Sequence, residues 1–491
     1  MDQAIYEQGV DNRAQEMLEA MAERGGGGMW GAHSPLATGQ DPSFVTEIVK
    51  NGFTYLWGTG SSDPLGAGPF DIVSAMLLLC RWEDTLLDET VDLIRRLMIR
   101  GTLERGNTEN HWLMYYTGNL LAAERWGDEP VFWNGLPPEA MQAEATRWIL
   151  GMIERTAVYG HHEYDSPQYH MEHVVPMIGI YEHTQDENLK HQAAQVLSIL
   201  VADMALEYFQ GAWAGGHSRE GYRENTWTRT GEAPALHYLY FGGESFDPDV
   251  HLRTRVGPAL VARYRPPALF AEMAHDQGRP CVIKKTRAPR SIYRHVDREA
   301  RPVRKYTYLS QSFALGSTQV GLPGAPASPI DLVSWDLTWK GPKHQAKIVC
   351  NHPYRSPERF SAFLPSQPYS IGRAVGSDKP YLQWPDRLFG ASPFEQMMQF
   401  EGTIVVLYRI PEEDEAPFVN LYLPKEIDWA EQAGWLFGNL EKFYVGLRPI
   451  GAYIWEDIRE AGNPGRMMRD SDQINGWLLR LQDVQAGLGL E

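Results

Sequence analysis

The spacing of apolar residues changes once along this 491-residue chain, near Gln277, and this change constrains the fold more than any other feature. From about Asp11 to about Ala274 the apolar residues recur at intervals of three and four, which predicts amphipathic helices. From Arg279 onward, segments rich in β-branched and aromatic residues alternate with turn-forming residues, which predicts strands. We therefore predict a helical domain over residues 1–277 and a strand domain over residues 278–491.

The helical part consists of long periodic segments separated by breaks rich in Gly, Pro and Asp, which is typical of successive helical hairpins. Helices are predicted over residues 71–82, 85–99, 109–126, 138–155, 168–183 and 187–209. In the strand part there is no helical crossover between strands, so these should pair antiparallel into a β-sandwich. We expect a short closing helix over residues 472–485.

Composition limits the partners of the chain. With 63 acidic and 45 basic residues, its formal net charge of −18 repels phosphate backbones, so we expect no nucleic-acid partner. No apolar run approaches the roughly eighteen residues that span a bilayer, so we expect no membrane insertion. A homo-oligomer is compatible with this composition. The polar N-terminus lacks the order of a secretory signal, which predicts a cytoplasmic protein, or a secreted or periplasmic one whose signal was removed.

The three cysteines are too few and too scattered for a disulfide framework or a spaced zinc cage. We expect Cys80, Cys281 and Cys350 to be reduced packing residues.

The segment GNTENHWLMYYTGNLLAAERW, which begins at Gly106, gathers polar side chains at a helix start. Thr108 or Asn107 is a candidate cap, and His111 and Tyr115 fall on one face at positions i and i+4. Free N–H groups and the helix dipole favour an anion-binding pocket at such a place. A capped helix whose His and Tyr are satisfied in the core remains the alternative. The candidate site residues are Glu109, Asn110, His111 and Tyr115.

A second dense segment, GHHEYDSPQYHMEHVVPM, begins at Gly160. We expect Asp165 or Ser166 to cap a helix whose first position is Pro167, which places Tyr169 and His173 on one face. A solvated polar loop is the alternative interpretation. The candidate site residues of this segment are His162, Glu163, Tyr164, Asp165, Tyr169 and His170.

The same segment raises the question of a metal, for which His162, His170, Glu172 and His173 are candidate ligands. The paired pattern of zinc proteases is absent, because HEYDS lacks the second His. We therefore predict no cofactor and no metal, and keep a structural or catalytic divalent metal as the weaker alternative.

A third segment, AGGHSREGYRENTWTR, combines glycines with a histidine, three arginines and aromatic rings. Such a loop can clamp a carboxylate between arginines and stack a ring on a sugar. A surface loop with ordinary salt bridges is the alternative. Its candidate residues are His217, Arg219, Tyr222, Arg223 and Trp227.

Two of these motifs carry a resemblance to a known group. The Asn110–His111 pair that opens one helix, followed about sixty residues later by the Tyr169–His170 pair, resembles the polysaccharide lyases with an (α/α) toroid, such as the alginate lyase and heparinase II/III-like families. Those proteins also place an antiparallel β-sandwich after the toroid. The resemblance therefore implies an N-terminal toroid of helical hairpins, a C-terminal sandwich and an oligo- or polysaccharide substrate.

The resemblance also implies β-elimination at a uronic acid. Asn110 would neutralise the substrate carboxylate, and His111 or Tyr169 would remove the C5 proton. A tyrosine would protonate the leaving oxygen, with Tyr169 first and Tyr164 or Tyr222 as substitutes. By chemistry alone, Arg219 or Arg223 would hold a neighbouring carboxylate. The chain departs from alginate lyases at Glu109, which stands where they usually have a second Asn.

Two other functions remain open. Glu109, Glu163 and Asp165 could serve as the paired carboxylates of a glycoside hydrolase, which suits the acidic net charge. A non-catalytic glycan-binding protein, whose aromatic rings stack on sugars, is the third interpretation.

Overall fold

The computed structural model describes residues 1–53, 65–106, 108–161, 163–218, 231–275, 278–287, 303–319, 333–340, 345–354, 392–458 and 465–484. The chain forms two compact units. The helical unit comprises Met1–His161, Tyr169–Ala205 and Glu232–Glu272. The sheet unit comprises His162–Gln168, Leu206–Gly231 and Met273–Glu491. Two stretches from the helical part of the sequence therefore belong with the strands.

The longer helices are α1 Gln3–Arg24, α4 Ser43–Phe53, α5 Pro69–Trp82, α6 Asp88–Arg100, α7 Glu109–Arg125, α8 Pro138–Tyr159, α9 Met171–His183, α10 Glu187–Leu206, α11 Ala233–Phe241 and α14 Ala268–His275. Four short helices are α2 Gly28–Gly31, α3 His33–Ala37, α12 Pro248–His251 and α13 Gly257–Leu260. The predicted helices thus exist as α5 to α10, with ends shifted by a few residues.

The first helix packs against the last ones, so the helical unit closes on itself. Helix α1 contacts α11, α12 and α13, while α7 packs against α5, α8 and α9. Gly118 allows the close approach of α7 to α5, because a Cβ at this position would lie 2.5 Å from Cγ2 of Ile72. This closed arrangement of helical hairpins confirms the expected (α/α) toroid class.

The start of α7 confirms one predicted cap and the start of α9 corrects another. Thr108 Oγ1 accepts the N–H of His111 at 3.4 Å, as a helix cap should. Helix α9 begins at Met171 rather than at residue 168, and it has no side-chain cap. The expectation that Asp165 or Ser166 would cap it, with Pro167 at its first position, is wrong. Asp165 has a positive φ of 51° and binds buried cations instead.

Helix α10 ends earlier than predicted, because a tight hairpin follows it. The strands β3 Tyr208–Phe209 and β4 Ala212–Trp213 pair antiparallel across Gln210 and Gly211. Both turn residues have positive φ, at 50° and 88°, as a two-residue type I′ turn requires. In the helical unit, β1 Gly66–Ala67 pairs with β2 Thr102–Leu103.

The sheet unit is an antiparallel β-sandwich. The eight-stranded sheet has the order β16-β17-β12-β9-β8-β7-β6-β5, and the six-stranded sheet has the order β10-β11-β18-β15-β14-β13. Both contribute to one buried core, for example through Trp335 and Leu421 of the first and Val406 and Trp477 of the second. The strands are β5 Cys281–Arg287, β6 Val303–Leu309, β7 Ala314–Gln319, β8 Trp335–Lys340, β9 Gln345–Asn351, β10 Glu395–Phe400, β11 Thr403–Arg409, β12 Val419–Pro424, β13 Trp429–Gln432, β14 Trp435–Asn439, β15 Phe443–Pro449, β16 Tyr453–Asp457, β17 Gly465–Asp470 and β18 Ile474–Asp483.

The expected closing helix over residues 472–485 is wrong. That segment forms β18, a central strand that hydrogen-bonds to β11 on one side and β15 on the other. Trp477, Leu479 and Leu481 are buried in the core. Because two neighbouring strands satisfy its backbone, tertiary pairing outweighs the helical spacing of its apolar residues.

All three cysteines are free, and Cys350 Sγ accepts a hydrogen bond from Trp477 Nε1 at 3.1 Å. Among the residues that the structure describes, no helix has the length and apolar character needed to cross a membrane.

Candidate active site

The starts of helices α7 and α9 meet in the helical unit. Oε2 of Glu109 lies 3.6 Å from Nε2 of His173, and both side chains are buried. Nδ1 of His173 donates a hydrogen bond to the carbonyl oxygen of Tyr169 at 3.1 Å. Packing of α9 on α7 therefore brings the segment of Glu109, Asn110 and His111 to the segment of Tyr169 and His170, although about sixty residues separate them.

Three histidines form a connected group at this meeting point. Nε2 of His170 donates to the carbonyl oxygen of Leu200 at 3.1 Å, and Nδ1 of His170 lies 3.3 Å from Nε2 of His161. The ring of His161 stacks on that of His173, with centroids 4.0 Å apart and an interplanar angle of 20°. All three rings are buried. A neutral His170 thus accepts the Nε2–H of His161.

Glu109, His161 and His173 form a set of candidate metal ligands. Each offers one ligand atom, and these atoms all lie within 4.8 Å of one another. Of the residues that the sequence suggested as ligands, His173 belongs to this set. His170 lies outside the set and orients the ring of His161 through a hydrogen bond. Glu172 binds Arg255 instead, and His162 lies outside the described residues.

Arg255 is the main site residue that the sequence did not indicate. Its Nη1 lies 2.7 Å from Oε1 of Glu172 and 3.5 Å from Oε1 of Glu232. Its guanidinium group lies over the Phe70 ring at 4.8 Å, and His111 meets the same ring edge-on with centroids 5.4 Å apart. Arg255 and His111 therefore share one aromatic neighbour.

The charges around Arg255 perturb each other. Burial lowers the pKa of Arg255, but the negative charges of Glu172, Glu232 and an ionised Tyr169 outweigh it, so the pKa is raised. Burial raises the pKa of Glu172 to about 7, although Arg255 opposes this effect. Tyr169 thus belongs to the groups whose negative charge raises the pKa of Arg255. A cation beside a phenol stabilises the phenolate, which is the form that accepts a proton.

Tyr115 packs against neighbouring aromatic residues. Its ring meets that of Tyr116 at 5.1 Å, and Tyr116 in turn stacks on Trp148 at 5.0 Å. The hydroxyl of Tyr116 donates to Glu144 and accepts from Arg105. Burial raises the pKa of Tyr115 to about 12, so this phenol stays protonated.

In the sheet unit, Asp165 and Glu207 anchor a buried network of charges. Arg287 Nη2 lies 3.1 Å from Oδ1 of Asp165, and Lys305 Nζ also contacts this carboxylate. Lys285 Nζ lies 2.8 Å from Oε2 of Glu207. Burial raises the pKa of Asp165, but Arg287, Lys285 and Lys305 outweigh it and hold the pKa well below its ordinary value. Asp165 is therefore a structural anion and no proton donor.

Tyr164 and His217 lie close together in the sheet unit. The carbonyl oxygen of Tyr164 accepts the N–H of Ser218 at 3.1 Å. Nδ1 of His217 donates to the carbonyl oxygen of Gly215 at 2.8 Å. Tyr164, His217 and Glu163 are each about 1% exposed. The remaining predicted residues, His162, Arg219, Tyr222, Arg223 and Trp227, lie outside the described residues.

Comparison with known proteins finds a likeness among solved structures alone. No protein-family model matches the sequence, and no curated protein matches it. Heparinase III, the BT4657 gene product, is 9% identical over 93% of this chain and 77% of that one, with a TM-score of 0.42. Heparan sulfate lyase HepC from Pedobacter heparinus is 11% identical over 93% of this chain and 76% of that one, with a TM-score of 0.40. At such identities and TM-scores, the likeness assigns no activity to this chain.

Proposed function

We propose that this chain is a polysaccharide lyase that cleaves a uronic-acid-containing glycan by β-elimination. The observation that carries the proposal is the meeting of the α7 and α9 starts at Glu109 and His173. Asn110 and His111 follow Glu109 in the chain, and the carbonyl oxygen of Tyr169 accepts a hydrogen bond from His173, which supports a site that combines the amide of Asn110, the imidazole of His111 and the phenol of Tyr169.

These groups match the needs of the reaction. Elimination removes the C5 proton beside the carboxylate while the C4–O bond breaks, and negative charge builds up on the carboxylate oxygens. Donors aimed at that charge stabilise the transition state, a role that suits Asn110 with help from His111. Tyr169 is the candidate base for the C5 proton, and the same phenol can return a proton to the leaving oxygen.

Arg255 adds a positive charge that an acidic sugar requires. The net charge of −18 would repel a uronate on average, so a local cation must offset it. Arg255 is our candidate for this cation; Glu172 and Glu232 contact it, and the raised pKa of Glu172, about 7, lessens the negative charge that these two carboxyl groups bring at neutral pH. The Glu109 carboxylate, which would repel a uronate, faces the imidazole of His173.

The contacts of Asp165 weigh against the hydrolase alternative. A glycosidase needs one carboxyl group that holds a proton and a second that is ionised. Asp165 is fixed in ion pairs with Lys305 and Arg287, and its lowered pKa keeps it ionised. Glu109 and Glu163 are the carboxyl groups that remain for that mechanism. The non-catalytic glycan-binding alternative predicts affinity without turnover.

A panel of sulfated uronates, unsulfated uronates and neutral glycans separates the three functions. Elimination creates a conjugated double bond that absorbs at about 235 nm, whereas hydrolysis creates only reducing ends. We expect absorbance to rise with at least one uronate polymer. New reducing ends without absorbance would establish the hydrolase, and binding without either signal would establish the glycan-binding protein.

A matched pair of variants tests the assigned base. We expect Tyr169→Phe to lose most turnover while it keeps substrate binding and the circular dichroism of the wild type. Tyr159→Phe, at the exposed end of α8, should keep full activity. Full activity of Tyr169→Phe together with loss in Glu163→Gln would overturn the lyase assignment.

A further inference from the structure

We propose that the outer face of the six-stranded sheet is a second glycan-binding site, which takes an acidic oligosaccharide. The proposal rests on the uronate polymer inferred above, and it adds a site that the chemistry at the starts of α7 and α9 does not use. All of its residues belong to the sheet unit. The sequence did not indicate this site.

The strand register aligns a row of residues across this face. Thr403 of β11 pairs with Phe400 of β10 on one side and with Arg480 of β18 on the other. Arg480 also pairs with Gly446 of β15, and Gly446 pairs with Phe437 of β14. Directly paired residues project to the same side of a sheet. Four strand spacings of about 4.8 Å make this row roughly 19 Å long, which is enough for several sugar units.

The row faces away from the core of the sandwich. Phe400 is 72% exposed and Phe437 is 46% exposed. The alternate residues of the same strands, such as Ile404, Leu436 and Leu479, are buried in the core. Single exposed apolar side chains are ordinary, but aromatic side chains that share one exposed face are typical of an interaction site.

Trp435 and Phe437 form a stacked aromatic pair on this face. Their ring centroids lie 6.1 Å apart with an interplanar angle of 18°. The indole lies over Gly446, because a Cβ at this glycine would be 3.5 Å from Cε3 and Cζ3 of Trp435. The C–H face of a pyranose ring packs against such flat rings, while its hydroxyl groups stay hydrated.

Two arginines supply the charge that an acidic sugar needs. The guanidinium group of Arg448 lies 5.8 Å from the ring centroid of Trp435, and Arg480 belongs to the aligned row. Both side chains are exposed, and among the described residues neither forms an ion pair. Arginine can bind a carboxylate or a sulfate through two parallel hydrogen bonds. Because the chain carries a net charge of −18, these two arginines favour an acidic sugar here.

A groove of about 690 Å³ accompanies the row, a volume within the usual range of about 300–1,000 Å³ for small-molecule sites. Its lining includes Phe400, Thr403, Trp435, Leu478, Arg480 and Gln482. Thr403 and Gln482 can both donate and accept hydrogen bonds, as sugar hydroxyl groups require. Glu401 and Asp483 also line the groove and can accept from hydroxyl groups. Their charges direct the acidic groups of the sugar toward the arginines.

Affinity electrophoresis of the full-length chain tests the site, in native gels that contain heparan sulfate, alginate or a neutral glucan. Every protein carries Tyr169→Phe, which limits cleavage of the polymer. We expect retardation by an acidic polymer, and Trp435→Ala and Arg480→Gln should each weaken the affinity by about 10-fold. Tyr159→Ala and Arg304→Gln, at exposed positions elsewhere, are the matched controls and should change nothing.

Three results would overturn the proposal. These are no retardation by either acidic polymer, equal retardation by the neutral glucan, and unchanged retardation of folded Arg480→Gln. Because Arg480 is exposed, this variant tests the site even if Trp435→Ala does not fold.

Chemical protection then locates the bound glycan. Phenylglyoxal modifies exposed guanidinium groups, and peptide mass spectrometry measures the rate at each arginine. A saturating acidic polymer should slow the modification of Arg448 and Arg480 several-fold and leave that of Arg304 unchanged. Equal rates with and without polymer at both arginines would place the glycan elsewhere and overturn the assignment. Protection by self-association without polymer, lost in Trp435→Ala, would instead assign this face to a second copy of the chain.

This proposal and the proposed function fail separately. Polymer binding that depends on Trp435 and Arg480, without absorbance at about 235 nm, would keep this site and remove the lyase reaction. Absorbance together with binding that is insensitive to both residues would keep the lyase reaction and remove this site.

Discussion

Lys305 Nζ donates to Oε2 of Glu207 across 3.0 Å, and neither side chain is exposed to solvent. The same ammonium group contacts Asp165, so one lysine joins two carboxylates that lie 42 positions apart in the sequence. Within the sheet unit, this lysine connects β6 to Asp165 and to Glu207. Such a buried network is stable only while every charge keeps its partner.

Replacement of Lys305 by Met should therefore destabilise the sheet unit strongly. The change leaves Asp165 and Glu207 buried with one cation fewer, and removal of one partner from a buried ion pair typically costs about 3–5 kcal/mol. Denaturant unfolding followed by tryptophan fluorescence measures this loss. Lys442→Met, an exposed lysine of the same unit, should change stability by less than about 0.5 kcal/mol. Equal stability of the two variants would contradict the role given to the network.

Two helix glycines should respond to alanine with opposite signs. A Cβ at Gly118 would lie 2.5 Å from Cγ2 of Ile72 and 3.3 Å from its carbonyl oxygen, so Gly118→Ala should cost about 1–3 kcal/mol through overpacking. A Cβ at Gly151 of α8 would meet Arg155 Nη1 at an ordinary 3.5 Å. Gly151→Ala should therefore stabilise the helix by about 0.5–1 kcal/mol. Thermal unfolding followed at the helical circular dichroism band gives both signs, and a stable Gly118→Ala variant would refute the close packing.

Arg255→Lys tests whether the planar guanidinium matters to turnover. Arg255 contacts Glu172 and Glu232 while it lies over Phe70, and a lysine point charge cannot make all three contacts. We expect kcat/KM on the uronate substrate to fall by about 10-fold or more, with the fold retained. Arg263→Lys, whose side chain is 84% exposed, is the matched control and should keep full activity. An unchanged kcat/KM in Arg255→Lys would remove this residue from the site.

The sequence predicted those parts of the fold that depend on local periodicity. Helices α5 to α10 and the antiparallel strands were recognisable, because amphipathic spacing and β-branched content act within single segments. The segment of Trp477 and Leu479 was misread as helical, because a central strand carries adjacent apolar residues that also fit helical spacing. Only its pairing with β11 and β15 distinguishes the two conformations.

Some residues of the candidate site were recognisable in the sequence for the same reason. Asn110 and Tyr169 stood out because polar residues crowd at two helix starts, and local sequence shows such crowding. Arg255 could not be recognised in the sequence, because it lies 83 positions after its partner Glu172 and its neighbouring residues carry no motif. His161 was not recognised either. It follows Gly160, which ends α8, and the spacing of residues along the sequence does not indicate that this helix end contacts α9.

His33 should make the stability of the helical unit depend on pH. Its side chain is 1% exposed, and Nδ1 accepts the indole N–H of Trp82 at 3.1 Å, so the fold requires the neutral ring. Burial lowers the pKa of His33 from 6.5 to about 3, with His183 and Arg81 adding to the effect. As the pH falls below 6.5, the unfolded chain therefore binds a proton that the folded chain does not. The stabilisation is complete above pH 6.5 and is lost progressively toward pH 3.

The effect on unfolding can be isolated with one variant. From this histidine alone, the free energy of unfolding should be about 2 kcal/mol smaller at pH 5 than at pH 8. His33→Gln keeps an acceptor for Trp82 but cannot titrate, so its decrease over the same pH interval should be smaller by that amount. His191→Gln, at an exposed position, should show the wild-type pH dependence. Denaturant unfolding at both pH values measures the difference, and parallel curves for wild type and His33→Gln would show that His33 is not held neutral by the fold.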